Sequence, residues 1–503
     1  MAKKKRKRRL KKWVKTVLAF IGIGTAAGAG FTVYRIYANA AMDTEYRFVY
    51  EKPLLHVEET IRYDMEGGIF YRQTDKETRT AVMAKALVVS EDGETFHEIR
   101  TDDTGKLITG WYEGKDGKYY YTKDHGWLVT ESSEIEGQFY TLDENGRVLD
   151  DEWVKEGNGN VWYDDGQKTG LEEDSLLFIE GESGFYYLSS SNGNARAENT
   201  EVSLPDGRLL IYDENGNIVN ERSTDAEGRV YFPIPESYET AAETKLIAVS
   251  EFISETEETG MRYVNHRGYH VEAPENSLAA YMQSYEQGYH YVECDIQMTA
   301  DGIPVLLHNE TINAVARNSD GTPIGSQVYI DSLTLEQADA YDFGIMCGQN
   351  YAGTKITRLD EFLSYCKAYN IHPYLEMKGE TVDTQEECDL LLSMVQSYGM
   401  QDQCTWISFA SSPLQFILNQ DPDARIGYLI SAKSALDQTA SAVISQRQQG
   451  YNVFVDAVFT AADAIASKCE ANDVPLEVWT VNNDNYLSSL NPYISAITTD
   501  YLK

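Results

Sequence analysis

At 503 residues with 42% hydrophobic content, the chain is long enough to form two or three domains with real cores. Its formal net charge of -37 argues against a general nucleic-acid binder. The charge is unevenly spread: residues 1–42 hold eleven basic residues and no acidic one, which leaves -48 on the remainder.

Lys3-Lys4-Lys5-Arg6-Lys7-Arg8-Arg9, with further lysines as far as Lys15, precedes an apolar run from Val17 to Tyr34. Basic residues ahead of such a run hold that end in the cytoplasm, so a transmembrane helix here places everything after Ala41 outside. The run is about 18 residues, short for a bilayer crossing. Ala38-Asn39-Ala40 resembles a signal-peptidase site, and cleavage there gives a secreted protein. The reading favours an uncleaved anchor within 1–42 and a single-pass cell-membrane protein with an extracytoplasmic body.

Residues 43–105 read as β-rich without a motif. From 106 to 222, Asp-Gly and Asn-Gly turns separate aromatic runs, the strongest short hairpin signal. Gly110-Trp111-Tyr112, Gly117-Lys118-Tyr119-Tyr120-Tyr121 and Gly126-Trp127 form one unit, with weaker copies around Phe139-Tyr140, Val161-Trp162-Tyr163 and Leu210-Ile211-Tyr212. These repeats resemble choline-binding or glucan-binding wall repeats, in which rings from successive hairpins cage a quaternary ammonium. That resemblance implies a choline or cell-wall polymer partner at Trp111, Tyr120, Trp127, Trp153 and Trp162. The alternative is that the rings fill the small cores of stacked hairpins. Residues 223–259, acidic and Glu-Thr-rich in part, read as a linker or buttress.

From 260 to 503 strand-like and helix-like stretches alternate. Strands are expected at 262–267, 291–297, 303–308, 372–378, 403–409, 424–430, 452–457 and 476–481. Amphipathic stretches at 275–287, 358–369, 384–399, 434–449 and 461–472 lie between them. Strands alternating with helices indicate parallel βα units, and about eight such strands in about 240 residues predict an α/β (β/α)8 TIM barrel. Residues 310–330 have no clear period; a loop over the pocket mouth and a plain surface excursion are both open.

Chemistry-bearing residues collect near the predicted strand ends, the catalytic face of such a barrel. His266 and His308 can move protons near neutral pH. Glu293 and Asp295, two apart on a strand, face one side while Cys294 faces the other, so one hard divalent cation could take both carboxylates. His266-Arg267-Gly268, Pro274-Glu275-Asn276, Glu293-x-Asp295, Thr299-x-Asp301-Gly302, Val305-x-x-His308, Glu376-Met377-Lys378, Trp479-Thr480-Val481-Asn482 and Thr499-Asp500 resemble, in order, the glycerophosphodiester phosphodiesterase family. The resemblance implies Glu293, Asp295 and Glu376 as ligands of Ca2+ or Mg2+, His266 and His308 as acid/base pair, and Arg267, Lys378 and Trp479 as phosphate or substrate contacts. It also implies release of glycerol 3-phosphate and an alcohol, with the glycerol hydroxyl attacking phosphorus. One departure is Asn309, where the family has Asp.

Other readings are a hydrolase of teichoic-acid-type polymers, a phospholipase D-like enzyme, or an inactive wall-binding protein. A glycoside hydrolase using Glu293 and Glu376 leaves both histidines unexplained. The six cysteines, at 294, 347, 366, 388, 404 and 469, have no zinc spacing and read as thiols more readily than disulfides.

Overall fold

The computed structural model describes residues 46–51, 60–64, 69–73, 79–81 and 85–89 as strands, and the chain from 96 to 502 except 103, 105, 125, 158, 226–227, 254–259, 380 and 433. The basic segment, the apolar run and the Ala38-Asn39-Ala40 site lie outside the described residues. Among the described residues no helix is long and apolar enough to cross a membrane. Two compact units are present, one reaching Leu171 together with Asn192–Ala195, the other made of Glu172–Ser191 and Arg196–Lys503.

In the first unit, six antiparallel strands form a sheet in the order 79–81, 69–73, 60–64, 46–51, 85–89, 96–100. Hairpins follow: Gly110–Gly114 with Gly117–Tyr121, Ser133–Ile135 with Gln138–Tyr140, and Glu152–Glu156 with Gly159–Asp164. The turn between Ile135 and Gln138 has both Glu136 and Gly137 at positive φ, as a two-residue hairpin loop requires.

The second unit begins with antiparallel strands Ser175–Phe178, Tyr186–Ser189 and Lys245–Ala248. Residues 223–253 pack on the flank of the barrel. The Phe232 N–H donates to Ser364 Oγ at 3.0 Å, the Val230 N–H to Tyr398 Oη at 3.2 Å, and the Phe232 ring meets Tyr365 edge-on at 5.7 Å.

Eight parallel strands then close into a ring: Arg262–Asn265, Tyr291–Met298, His372–Met377, Thr405–Ser408, Arg425–Ile430, Val453–Val458, Leu476–Trp479 and Ile494–Thr499. Val264 pairs with Tyr291 on one side and Thr498 on the other, so no edge is left. Helices Leu278–Glu286, Leu359–Ala368, Gln385–Ser397, Ser411–Gln420, Leu436–Arg447 and Phe459–Glu470 cover the outside. The helix 385–397 starts at a capping box, with Thr384 and Glu387 each satisfying the other's backbone N–H.

Two expectations about strands are corrected. The 303–308 segment is not a barrel stave: Pro304–Leu306 lies antiparallel against Ile296–Met298 at the rim. The eighth stave is Ile494–Thr499, whose sequence Ile-Ser-Ala-Ile-Thr-Thr has too many small polar residues to stand out as an apolar run. Residues 310–330 are part of an ordered insertion between the second and third staves. Short 3-10 turns at Ile312–Ala314 and Ile330–Ser332 enclose a small core of Val305, Leu307, Ile312, Ala316, Ile330, Phe343 and Ile356.

The main core lies between staves and helices and takes the outward side chains, Cys294, Leu375 and Met377 among them. Inside the ring, Val264, Tyr374, Ile407, Leu429, Phe454 and Ala496 pack together. Toward the strand starts, Glu477 accepts from Arg262 Nη2 at 2.5 Å, Tyr374 Oη at 3.0 Å and Arg425, which plugs that end with paired charge. All six cysteines are free, and only Cys347 is exposed.

Candidate active site

Strand alternation builds the carboxylate cluster. Asp295 and Glu376 are register partners on neighbouring staves, and Glu293 and Lys378 lie two residues away on the same face. With Cys294 and Met377 turned outward, three acids and one lysine are forced together inside the ring. Ligand oxygens of Glu293, Asp295 and Glu376 all lie within 4.8 Å of one another, and all three residues are buried. Lys378 Nζ stands 2.7 Å from Asp295 Oδ1 and 2.6 Å from Glu376 Oε1.

The turn after the first stave adds Arg267. Arg267 and Gly268 both have positive φ, 54 and 75 degrees, so the chain reverses at once and the Arg267 N–H donates to Glu293 Oε2 at 3.0 Å. A side chain at Gly268 would place Cβ 2.8 Å from Ala280 Cβ, which makes glycine necessary there. The guanidinium lies 3.3 Å from Asp295 and 3.3 Å from Glu275. Asn276 Nδ2 donates to Asp295 Oδ2 at 2.8 Å, and Tyr281 Oη in turn donates to Asn276 Oδ1 at 3.0 Å.

Burial and the neighbouring Asp295 and Glu376 push the Glu293 carboxyl well above its ordinary range. Burial also raises Glu376, to about 7, with Asp295 adding to the effect. Burial acts the same way on Asp295, but Lys378 and Arg267 outweigh it and hold that carboxyl well below the usual range. Glu293 Oε1 is buried without a hydrogen-bond partner. An orphaned carboxylate oxygen beside two more, all hard oxygen donors, fits a divalent cation of the Ca2+ or Mg2+ kind.

Each expected histidine is oriented through Nδ1. His266 is pinned by its backbone N–H to Thr499 O at 2.9 Å, and its Nδ1 lies 2.8 Å from Asp500 Oδ1. Asp500 is itself held by Asn482 Nδ2, which donates to Oδ2 at 2.6 Å. His308 Nδ1 lies 2.8 Å from Asn309 Oδ1, and Gln297 Nε2 donates to the Leu307 and His308 carbonyls at 3.0 and 3.2 Å. Burial depresses the His308 pKa, with Lys378 and Arg267 adding to it against the pull of Asp295. In both cases Nε2 is the nitrogen left for chemistry.

Trp479 is half-buried at the end of its stave; its Nε1 donates to Asp456 O at 3.3 Å and its ring meets Phe409 edge-on at 5.4 Å. The five repeat aromatics belong to the first unit. Trp111 meets Tyr120 at 5.0 Å and Tyr140 at 4.7 Å, Trp153 meets Trp162 at 5.1 Å, and Trp127 stacks on His97 at 3.6 Å. They form separate ring contacts, with Lys118 Nζ 4.6 Å over Trp111.

The site also contains residues to which the sequence reading gave no role: Asn276, Gln297, Asn482, Asp500 and His270, whose Nε2 lies 3.1 Å from Asp500 Oδ1. The four-residue spacing of His266 and His270 was a visible signal; the approach of Asp500, 234 residues on, was not.

Residues 266–503 match the Glycerophosphoryl diester phosphodiesterase family. The barrel is a domain of this enzyme family. A glycerophosphodiester phosphodiesterase of Caldanaerobacter subterraneus subsp. tengcongensis is 26% identical over 219 residues, 44% of this chain and 85% of that protein. Human glycerophosphodiester phosphodiesterase 1 is 31% identical over 147 residues, 29% of this chain and 42% of that protein. A crystal structure of a phosphodiesterase from Oleispira antarctica in complex with the product sn-glycerol-3-phosphate is 23% identical; the match covers 48% of this chain and 93% of that one, with a TM-score of 0.41.

Proposed function

We propose that the barrel hydrolyses glycerophosphodiesters to glycerol 3-phosphate and an alcohol. The observation that carries this reading is the trio Glu293, Asp295 and Glu376, whose ligand oxygens lie within 4.8 Å of one another in a domain that also orients two histidines. A divalent cation held by these carboxylates would neutralise charge on the phosphoryl oxygens. Lys378 and Arg267 keep the acids compensated without it, and supply further positive charge for the phosphate.

The two histidines divide the proton transfers. His308, whose pKa burial lowers, takes the proton from the attacking glycerol hydroxyl as His266 gives one to the leaving alcohol oxygen. Water then opens the resulting cyclic phosphate to glycerol 3-phosphate, with the two histidines exchanging roles. Asp500 fixes His266 with Nε2 outward and would stabilise an imidazolium during transfer. Asn309 performs the same orienting task for His308 through a neutral oxygen.

The test is release of glycerol 3-phosphate from glycerophosphocholine, with and without a chelator, by the wild type and His266→Ala. Release that stops under both changes supports the reading. No release with any added divalent cation counts against it and turns the assay to glycerol-phosphate polymers and intact phospholipid.

In the same reading the catalytic body stands outside the cell, tethered by the Val17–Tyr34 run behind its basic flank. Protease accessibility of the barrel on intact cells tests this. The hairpin repeats face wall polymer or choline there, since Trp111, Trp127 and Trp153 remain half-buried. Calorimetry with choline checks it, and an absence of heat removes that partner.

A further inference from the structure

We propose that His266, His270 and Asp500 form a second cation site, suited to a borderline transition ion such as Zn2+, whose filling takes His266 out of catalysis. The inhibitory half of this inference rests on the acid role of His266 given above. The binding half does not.

Three donors converge at the end of the first and last staves. His266 Nδ1 lies 2.8 Å and His270 Nε2 3.1 Å from the same oxygen, Asp500 Oδ1, and one ligand atom from each residue falls within 4.8 Å of the others. Of the two ring nitrogens facing that oxygen, His266 Nδ1 closes a hydrogen bond with it and His270 Nε2 stands beside it as a contact. His270 Nε2 is in fact a buried nitrogen that closes no well-aligned hydrogen bond. A ring nitrogen left over beside a carboxylate is the arrangement an ion completes.

The distances agree with this. In a tetrahedral zinc site with bonds of about 2.0–2.1 Å the ligand atoms stand roughly 3.3 Å apart, so opening by a few tenths of an ångström admits the ion. The frame can hold that geometry: Asp500 is braced by Asn482 at 2.6 Å, and the turn carrying His270 is closed by its N–H to Gly268 O at 2.7 Å. All three side chains keep partial exposure, which leaves an entry path and a position for water.

Donor chemistry separates this site from the carboxylate trio. Imidazole nitrogens favour zinc-class ions, whereas all-oxygen sets suit Ca2+ and Mg2+. The two sites are near neighbours, since His266 directly precedes Arg267, whose N–H reaches Glu293. An ion on His266 Nδ1 would displace the Asp500 hydrogen bond that orients the ring for proton transfer.

The experiment titrates Co2+ into the full chain with Ca2+ saturating, and follows the visible absorption that a low-coordinate nitrogen-bearing site gives. One equivalent should bring in the band for the wild type and for Glu293→Gln, and His270→Gln and His270→Ala should both lose it. In parallel, Zn2+ inhibition of glycerophosphocholine hydrolysis is compared with each protein's own uninhibited rate; half-inhibition should move at least tenfold higher in both His270 variants. A band that survives in both folded variants, or vanishes with Glu293→Gln, overturns the site. Inhibition that excess Ca2+ relieves places the zinc on the carboxylates and also overturns it. If no form of the enzyme turns over, the functional reading fails, and the Co2+ band still decides the site.

Discussion

Asn276 holds Asp295 side chain to side chain, its Nδ2 donating to Oδ2 at 2.8 Å, while its own Oδ1 accepts from the Asp295 N–H at 3.2 Å. Asn276 thus reads both the backbone and the carboxylate of one residue. It does so from a left-handed conformation, φ 54 degrees, that asparagine tolerates better than most. Asn276→Ala should free the Asp295 carboxylate to turn and weaken Ca2+ or Mg2+ binding roughly 10–100-fold. Isothermal calorimetry checks this, and unchanged affinity would mean Lys378 and Arg267 suffice to orient Asp295.

The carboxylate trio should couple cation binding to stability. An ion that binds only the folded protein adds about 2.7 kcal/mol at a hundred times its dissociation constant. Differential scanning calorimetry should therefore show a higher Tm with Ca2+ or Mg2+, and Glu293→Gln should abolish most of the rise. Equal shifts in both proteins would place the ion elsewhere.

Asn309→Asp puts a negative charge where a neutral oxygen now meets His308 Nδ1 at 2.8 Å. Burial holds the His308 pKa below its ordinary value, and an adjacent carboxylate favours the protonated ring. The acidic limb of the kcat/KM profile should move to higher pH by about one unit. A profile that does not move would remove His308 from the base role.

Asp500→Asn should lower kcat by roughly 10²–10⁴-fold with little change in KM, because it orients the ring without binding substrate. Burial tends to raise the Asp500 carboxyl, but the His266 and His270 rings beside it outweigh burial and hold it well below the usual range. A depressed carboxyl contributes stability above its unfolded value, and that contribution is lost as pH falls through the folded one. The stability gap between wild type and variant should therefore narrow below about pH 4, as read by urea unfolding.

Ser364→Ala removes the acceptor of the Phe232 N–H and leaves that donor without its partner. The cost should be about 1–3 kcal/mol, with faster amide exchange in residues 223–253 and an unchanged KM.

Much of this was legible in the sequence because strand alternation is strict. Glu293-Cys294-Asp295 showed which side chains share a face, and the parallel register with Glu376-Met377-Lys378 then follows from the barrel. The eighth stave was misplaced because 303–308 is apolar at the right length while 494–499 is diluted by Ser and Thr. Periodicity reports burial, and Pro304–Leu306 is buried in a rim ribbon without being a stave. Helix 411–420 was missed where Ser411-Ser412-Pro413 reads as a turn; proline in a first turn loses no intrahelical bond. Contacts such as His270 with Asp500 depend on where two loops end, which no local pattern encodes.

The ring closes where Arg262–Asn265 meets Ile494–Thr499, and the same seam brings His266 against Asp500 across 234 residues of intervening chain. Contacts this distant carry the greatest loop-closure entropy and form late. During refolding, helices and neighbouring strands can therefore assemble before the His266–Asp500 pair exists, and recovery of activity should lag recovery of far-ultraviolet dichroism. The seam makes catalysis a report on completed topology.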